Sequence, residues 1–220
     1  MQVNFVKSIA DCRLYTFVDT AFLAERSPAT IAAQLCEGGS DIIQLRAKHA
    51  TPETVRRLAE AILPVTRAAG VPLVINDYPD IARASGAEFC HLGQEDFFEA
   101  GRTHVSQLEK PGTQLQFGLS THAPAQAERA LKAGPAYIAI GPVYATGTKP
   151  TARPVTLEYV RWAATRVAVP WFAIGGINLE NLPDVLAAGA RRICVVSAIL
   201  NAPDITRACR EFKRRLLADQ

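Results

Sequence analysis

The chain has 220 residues, of which 49% are apolar and 20% are charged, which provides for one sizeable core and argues against disorder. Its 24 basic and 21 acidic residues give a net charge of only +3, and the basic residues are spread along the chain. This charge pattern does not indicate a nucleic-acid-binding surface. The sequence also has no apolar run of the roughly 18–20 residues that a membrane span needs.

The N-terminal segment lacks the apolar stretch and cleavage site of a secretory signal, so we expect no secretion. The five cysteines are an odd number, widely spaced and without a C-x-x-C pair. This pattern is typical of reduced, mostly buried thiols in a cytoplasmic protein, and it does not favour structural zinc.

Short β-branched or apolar runs alternate with longer helical patterns along the chain. The predicted strands span residues 13–18, 41–46, 72–75, 88–91, 115–119, 137–140, 170–174 and 192–196. The predicted helices span residues 27–39, 51–70, 78–86, 103–112, 122–134, 156–167, 178–190 and 204–218. Two helix starts have an N-cap residue followed by a first-turn proline, Ser27-Pro28 and Thr51-Pro52.

This alternation implies parallel strands joined by right-handed crossovers. The strand ends recur about every 25 residues, which suits a (β/α)8 TIM barrel. The alternative, an open doubly wound sheet, has no support from a G-x-G-x-x-G motif after the first strand. We therefore predict the α/β class, with residues 1–220 forming a single domain around a parallel eight-stranded barrel.

Polar residues alternate with apolar ones at the end of the second predicted strand. Gln44, Arg46 and Lys48 share one face, while Leu45 and Ala47 share the other. If the apolar face packs against the helices, the polar face points to the barrel mouth, where the active sites of such barrels lie. Two cations beside an amide suit a multiply charged anion, although a solvated strand end would give the same pattern.

Two aspartates follow neighbouring predicted strands, Asp77 directly after the third strand and Asp96 a few residues after the fourth. Because adjacent strands lie about 4.8 Å apart, the two carboxylates can share Mg²⁺, with water and phosphate oxygens completing its coordination. Taken alone, Asn76-Asp77 is an ordinary turn signal. Together with the cations of the second strand, the pair indicates a metal site.

The seventh and eighth predicted strands end in Gly175-Gly176 and Val196-Ser197. Barrels of this kind commonly hold a phosphate at this place by backbone N–H groups. Glycine lets the backbone approach the anion closely. The alternative is a glycine turn that merely precedes a helix capped by Asn178, and we favour the phosphate site.

The loop after the sixth strand, residues 146–149, carries two hydroxyls and an ammonium group that could close over an anion. His91 is interpreted as a core histidine beside Cys90, and Cys90 and Cys194 as core thiols. His122 is either a cap of the following helix or an acid–base candidate.

As an ordered set, seven short blocks make the chain resemble the thiamine phosphate synthase family. The blocks are QLRAK (44–48), VINDYPDIA (74–82), HLGQED (91–96), GLSTH (118–122), IGPVYATGTK (140–149), AIGGI (173–177) and VVSAI (195–199). The match covers the barrel from the second strand to the eighth, and AIGGI alone is common to many phosphate-binding barrels. Residues 150–157 and the first strand are less like the family pattern, which leaves loop length and lid behaviour open.

The resemblance implies a transferase that joins 4-amino-2-methyl-5-pyrimidinylmethyl diphosphate to a thiazole ethyl phosphate and releases diphosphate. Asp77 and Asp96 would then bind Mg²⁺. The residues that would hold the thiazole phosphate are Thr146, Gly147, Thr148, Gly176, Val196 and Ser197. The residues that would hold the pyrimidine diphosphate are Gln44, Arg46, Lys48, Asn76, Ser120 and Lys149. Of these, the candidate catalytic residues are Arg46, Lys48, Ser120 and Lys149.

Elementary chemistry agrees with these assignments. Departure of diphosphate concentrates negative charge on the leaving oxygens, which Mg²⁺ with Arg46, Lys48 and Lys149 would stabilise. The incoming thiazole nitrogen needs no deprotonation, so the lack of a convincing general base in the sequence is expected. We therefore predict a dissociative transfer, in which the carbon–oxygen bond breaks before the new bond forms.

Three other functions stay open at this point. A thiazole tautomerase of the same superfamily would use His122 for proton transfer, and a phosphosugar isomerase would share only the phosphate site. Neither would need the cations and both aspartates together. A non-catalytic barrel that binds thiamine phosphate as a sensor would be favoured by loss of Asp77, Asp96 or Lys149, and all three are present. The sequence leaves open whether the chain forms a homo-oligomer.

Overall fold

The structure, a computed structural model, describes residues 7–146 and 154–218. Within them, eight parallel strands form a closed barrel in sequence order, and the last strand pairs with the first. The strands are β1 (Leu14–Asp19), β2 (Ile42–Arg46), β3 (Leu73–Asn76), β4 (Phe89–Leu92), β5 (Gln116–Thr121), β6 (Tyr137–Ile140), β7 (Trp171–Ile174) and β8 (Ile193–Cys194). This confirms the predicted α/β class and the (β/α)8 TIM barrel. The assignment of residues 1–220 to one domain stays a prediction.

Helices connect the strands and cover the outside of the barrel. They are α1 (Pro28–Glu37), α2 (Pro52–Ala68), α3 (Pro79–Ser85), α4 (Gln94–Glu99), α5 (Pro124–Lys132), α6 (Thr156–Arg166), α7 (Leu182–Ala187), α8 (Ser197–Leu200) and α9 (Ile205–Ala218). Short 3-10 helices lie at Ile9–Asp11, Thr20–Phe22 and Val105–Leu108. In the part of the chain that the structure describes, none of the helices has the length and apolar character of a membrane span.

Helix α2 shows how local sequence sets an element. The Thr51 hydroxyl accepts a hydrogen bond from the Thr54 backbone N–H at 3.3 Å, which satisfies one of the unpaired donors of the first turn. Pro52 follows at the first helical position, where its missing N–H has no cost. The helix then buries Val55, Ala59 and Ile62, among others, on one face against the barrel.

The predicted helix at 103–112 is wrong. The connection between β4 and β5 is made instead by α4, and residues 103–112 contain only a 3-10 helix. Pro111 and Gly112 prevent a longer helix in this segment. With six residues, α4 is too short to show a helical period, so the sequence pattern does not predict it.

Aromatic side chains fill the interior of the barrel. The Tyr15 ring lies 5.2 Å from that of Phe17, 5.9 Å from that of Tyr137 and 5.3 Å from that of Phe172, measured between centroids. These rings are nearly or fully buried. They form a closed floor, above which the strand ends carry the polar residues.

Candidate active site

One cavity of about 310 Å³ lies at the carboxyl ends of the strands, and all eight strands contribute to its wall. It brings together every predicted site residue in the described part of the chain: Gln44, Arg46, Lys48, Asn76, Asp77, Asp96, Ser120, Thr146, Gly176, Val196 and Ser197. The predicted site residues Gly147, Thr148 and Lys149 lie outside the described residues. The sequence blocks thus converge in space, although they span more than 150 positions of the chain.

The cationic side of the cavity is built on β2. Gln44 is buried, Arg46 is partly buried, and both line the cavity together with Lys48, as the alternation predicted. The Arg46 guanidinium donates from Nη1 to Asp19 Oδ2 at 2.7 Å. Asp19 ends β1 directly opposite Arg46 in the strand register and is only 1% exposed. A buried carboxylate therefore fixes one edge of the guanidinium at the cavity wall.

Asp77 lies one residue beyond β3, with its backbone held by the next strand. Its N–H donates to the His91 carbonyl at 2.9 Å, and its carboxylate accepts from Asn76 Nδ2 at 2.6 Å. Asp77 has a φ of 66°, in the left-handed region that aspartate tolerates better than most residues. Backbone and carboxylate are thus both fixed in place.

Asp96 lies in the first turn of α4. Gly93 caps this helix, and a Cβ placed there would lie 2.7 Å from Asp96 Oδ2, so glycine makes room for the carboxylate. The N–H of Gln94, in the same turn, donates to Ser120 Oγ at 3.3 Å and joins α4 to β5. The helix thereby brings Asp96 to the cavity that Asp77 also lines.

The donor set of the two aspartates fits Mg²⁺ better than a softer metal. Carboxylate and amide oxygens suit a hard cation, and one or two protein carboxylates with substrate phosphates and water are its usual partners. Among residues 7–146 and 154–218, no cluster of three or more His, Cys, Asp or Glu side chains is placed to hold a metal.

His122 lines the cavity at the end of β5. The alternative that it caps α5 with its side chain is wrong, because the N-cap residue is Ala123 and it receives no side-chain hydrogen bond. The His122 ring instead donates from Nδ1 to the Gly141 carbonyl, and its backbone N–H donates to Gln126 Oε1 at 2.7 Å. If the ring is neutral, its one N–H is on Nδ1, and Nε2 carries the lone pair. Nε2 lies 3.9 Å from Glu95 Oε1.

Another part of the cavity wall is formed by the ends of β7 and β8. Gly176 has a φ of 64°, and a Cβ there would lie 2.6 Å from the Ala145 carbonyl oxygen and 2.7 Å from the Tyr144 Cβ. A side chain at this position is therefore excluded both by backbone conformation and by space. Val196 and Ser197 begin α8 on the neighbouring strand end. A partly exposed glycine turn beside a short helix is the arrangement that holds phosphates in such barrels.

A family model described as thiamine monophosphate synthase matches residues 14–199, which is most of the chain. The chain belongs to the thiamine monophosphate synthase family.

Relatives of this family resemble the chain over most of its length. A thiamine-phosphate synthase from Thermus thermophilus is 48% identical over 182 residues, covering 81% of this chain and 84% of the relative. One from Herpetosiphon aurantiacus is 42% identical over 204 residues, covering 92% and 95%. The solved structure of a thiamine phosphate pyrophosphorylase from Pyrococcus furiosus superimposes with a TM-score of 0.82 at 28% identity, covering 94% of this chain and 96% of that one.

These comparisons confirm the family resemblance, the predicted synthase function and the transferase class. The individual roles of the site residues stay predictions.

Two site residues of this family member were missed by sequence reasoning. The first predicted strand ended at Val18, so Asp19 was not considered, although it continues the inward-facing alternation of Tyr15 and Phe17. His91 was interpreted as a core residue, whereas it is half-buried and lines the cavity. Its strand neighbour Cys90 is fully buried, as expected of a core thiol, so alternation along β4 could have assigned the histidine to the inner face.

Proposed function

We propose that this member of the family joins 4-amino-2-methyl-5-pyrimidinylmethyl diphosphate to a thiazole ethyl phosphate, with each substrate held at its own side of one cavity. The observation that carries the proposal is the convergence of the β2 cations, two carboxylates and the Gly176 turn on a single cavity. A phosphosugar isomerase would require only the last of these features. The enzyme is expected to act in the cytoplasm, where its five free thiols would stay reduced.

The pyrimidine diphosphate is assigned to the β2 side. Gln44, Arg46, Lys48, Asn76 and Ser120 supply amide, cationic and hydroxyl groups there, and Lys149 is assigned to the same substrate from the sequence resemblance. Arg46 suits diphosphate because its guanidinium, anchored by Asp19 at one edge, has further donors for a second, bidentate partner. Arg46, Lys48 and Lys149 would stabilise the charge that develops on the leaving diphosphate, and the Ser120 hydroxyl is the fourth candidate catalytic group.

Asp77 and Asp96 are assigned to Mg²⁺. They are carboxylates on neighbouring strand connections that line one cavity beside cations, which is where a diphosphate would bind. When bound, Mg²⁺ would neutralise charge on the diphosphate oxygens and make diphosphate a better leaving group. Asn76 supports this arrangement through its hydrogen bond to the Asp77 carboxylate.

The thiazole phosphate is assigned to the β7–β8 side. Gly176, Val196 and Ser197 would bind its phosphate through backbone N–H groups and a hydroxyl, and Thr146, Gly147 and Thr148 would cover it from the β6 loop. Holding the phosphate there orients the thiazole nitrogen toward the reacting carbon, which replaces a bimolecular encounter by a fixed geometry.

The decisive assay is diphosphate release. We expect diphosphate and thiamine phosphate to form in equal amounts when both substrates and Mg²⁺ are mixed with the enzyme. A tautomerase would instead interconvert thiazole isomers without the pyrimidine substrate. A sensor would bind thiamine phosphate without turnover, and a phosphosugar isomerase would release no diphosphate. Any of these three results would reject the proposed reaction.

We further propose a dissociative transfer, because the cations gather where the leaving group is assigned and the amino-pyrimidine ring can delocalise positive charge. Electron-withdrawing substituents on the pyrimidine should then slow turnover by orders of magnitude, since each ~1.4 kcal/mol lost at a cationic transition state is tenfold in rate. Single-turnover rates of a substituted series would measure this. Rates that are flat across the series would indicate direct displacement by the thiazole nitrogen.

A further inference from the structure

A chain of four hydrogen-bonded side chains crosses the barrel at the floor of the cavity. Gln44 Nε2 donates to the Tyr15 hydroxyl at 2.7 Å, the Tyr15 and Tyr137 hydroxyl oxygens are 3.0 Å apart, and the Tyr137 hydroxyl lies 3.1 Å from His91 Nδ1. The four residues come from β2, β1, β6 and β4. All four residues line the cavity, with Gln44 and His91 at the two ends of the hydrogen-bonded chain.

The two tyrosines at the centre are almost completely buried beneath the cavity. Tyr15 is 1% exposed and Tyr137 is fully buried, and both rings pack edge-on against Phe172, with centroids 5.3 and 5.6 Å away. Burial raises the pKa of each hydroxyl well above its ordinary value, so both keep their hydrogen atoms. Buried hydroxyls need hydrogen-bond partners, and here the partners are one another and the two cavity residues.

A single glycine makes this arrangement fit. Gly118 on β5 lies between His91 on β4 and Tyr137 on β6 in the strand register. A Cβ at position 118 would lie 2.1 Å from the Tyr137 Cζ, so any other residue would displace the ring. Over this gap the His91 and Tyr137 rings stack, with centroids 5.7 Å apart and planes inclined by 22°.

The order of donors gives the chain a direction. The Gln44 amide nitrogen can only donate, so the Tyr15 oxygen accepts, and pairing every hydroxyl hydrogen within the chain then requires Tyr15 to donate to the Tyr137 oxygen. Tyr137 then has one hydrogen left, which it donates to His91 Nδ1. In the neutral ring the histidine hydrogen must therefore be on Nε2.

We propose that Tyr15 and Tyr137 are positioning residues that hold Gln44 as a hydrogen-bond acceptor and His91 as a hydrogen-bond donor toward the substrate ring. The Gln44 amide nitrogen is committed to Tyr15, which leaves Oε1 as its group for a ligand, and His91 presents Nε2–H. An amino-pyrimidine carries the complementary groups, an exocyclic amine and ring nitrogens with lone pairs. The identity of the ring as a pyrimidine rests on the proposed function. The direction of the hydrogen bonds from Gln44 to His91 is a property of the protein alone.

The direction can be measured without substrate. Nitrogen-15 NMR of the neutral His91 ring, assigned by its absence in His91→Gln, should show Nε2 protonated and Nδ1 unprotonated. Tyr137→Phe should mix the two tautomers because the donor to Nδ1 is lost. Tyr15→Phe should leave them unchanged because Tyr137 still donates. A wild-type ring protonated on Nδ1, or a Tyr15→Phe effect equal to that of Tyr137→Phe, would overturn the assigned direction.

The positioning role is tested by substrate-specific kinetics. Tyr15→Phe and Tyr137→Phe should each raise the KM for the pyrimidine diphosphate about 3- to 10-fold, the effect of one misplaced neutral hydrogen bond, and leave the KM for the thiazole phosphate unchanged. The matched control is Tyr159→Phe, which removes a buried hydroxyl bonded to Thr121 and Ala123 on the far side of β5 and should alter neither KM.

Equal increases in both KM values, or no increase in Tyr15→Phe, would reject the positioning role. If Tyr137→Phe does not fold, Tyr15→Phe alone decides between these results. Absence of diphosphate release by the wild-type enzyme would reject the proposed function. The NMR experiment would still test the direction of the hydrogen bonds, because it needs no substrate.

Discussion

Asp77 shows how a single residue can be prepared for a charge-dependent role. Left-handed backbone costs a non-glycine residue of the order of 1 kcal/mol, and Asn and Asp bear it best. The hydrogen bonds to the His91 carbonyl and from Asn76 hold this conformation and fix the carboxylate. Asparagine is therefore a clean replacement at this position, because it removes the charge without adding backbone strain.

We predict that Asp77→Asn and Asp96→Asn each lower activity and raise the Mg²⁺ concentration for half-maximal rate about tenfold or more, since each removes one of the two charged ligands proposed for the metal. Titration of the steady-state rate with Mg²⁺ measures this, and thermal unfolding checks that the fold is intact. The control is Asp80→Asn, an exposed aspartate on α3 that pairs with Arg83 and Lys110. Full activity of either site variant at low Mg²⁺ would refute the metal assignment.

At the scale of elements, backbone hydrogen bonds join the loop after β6 to the turn between β7 and α7. Tyr144 N–H donates to the Gly175 carbonyl at 3.0 Å, and Val143 N–H donates to the Ile174 carbonyl at 2.8 Å. The Asn178 side chain accepts from the N–H of Asn181 at 3.0 Å and closes the turn after the glycines, but the N-cap residue of α7 is Asn181, so the expected helix capped by Asn178 is wrong. A turn closed in this way is compatible with phosphate binding at the same backbone.

We predict that Gly176→Ala raises the KM for the thiazole phosphate roughly tenfold, because strain and displacement of ~1–3 kcal/mol fall on the backbone assigned to its phosphate. Lys149→Ala should mainly slow the diphosphate-releasing step. Initial rates with each substrate varied in turn separate the two effects. The control Gly101→Ala has a similar φ, 75°, with no atom within 4 Å of the new Cβ. Loss of pyrimidine diphosphate affinity alone in Gly176→Ala would reverse the two-site assignment.

At the scale of the whole molecule, periodicity was enough to predict the barrel and most site positions. Alternation assigned Gln44 and Arg46 to the inner face, and strand ends assigned Asp77 and Ser197 to the mouth. Contacts between distant segments could not be read this way, because no local pattern says that Asp19 faces Arg46.

The same limit applies to the floor of the cavity. The meeting of His91 with Tyr137 depends on the absence of a side chain at Gly118, one strand away from each. A glycine inside a strand indicates a close approach of other atoms, but not which residue fills the space.

At the amino-terminal side of the barrel, a buried carboxylate joins the segment before β1 to helix α9. Asp41, 3% exposed, accepts from the N–H groups of Arg13 and Leu14 at 2.9 Å and from the ammonium groups of Lys7 and Lys213. It thereby connects the segment before β1, the start of β2 and helix α9. Burial alone would raise the pKa of Asp41, but the hydrogen bonds from the Leu14 N–H and the two lysines outweigh it and hold the pKa below its ordinary value.

A carboxylate with a depressed pKa in the folded state stabilises the protein above its unfolded pKa, near 3.9, and this contribution is lost as the pH falls toward the folded value. We predict that Asp41→Asn lowers the free energy of unfolding by about 3 kcal/mol at neutral pH. The neutral amide has only one acceptor oxygen and no charge, so it cannot bond to both backbone N–H groups and pair with both lysines. Urea unfolding at a series of pH values would measure the difference from wild type, which should shrink below about pH 4. The exposed Asp80→Asn variant should show only a small difference throughout, because surface ion pairs contribute little. If the difference in unfolding free energy between Asp41→Asn and wild type stays constant from pH 7 to pH 3, the negative charge of Asp41 does not contribute to stability.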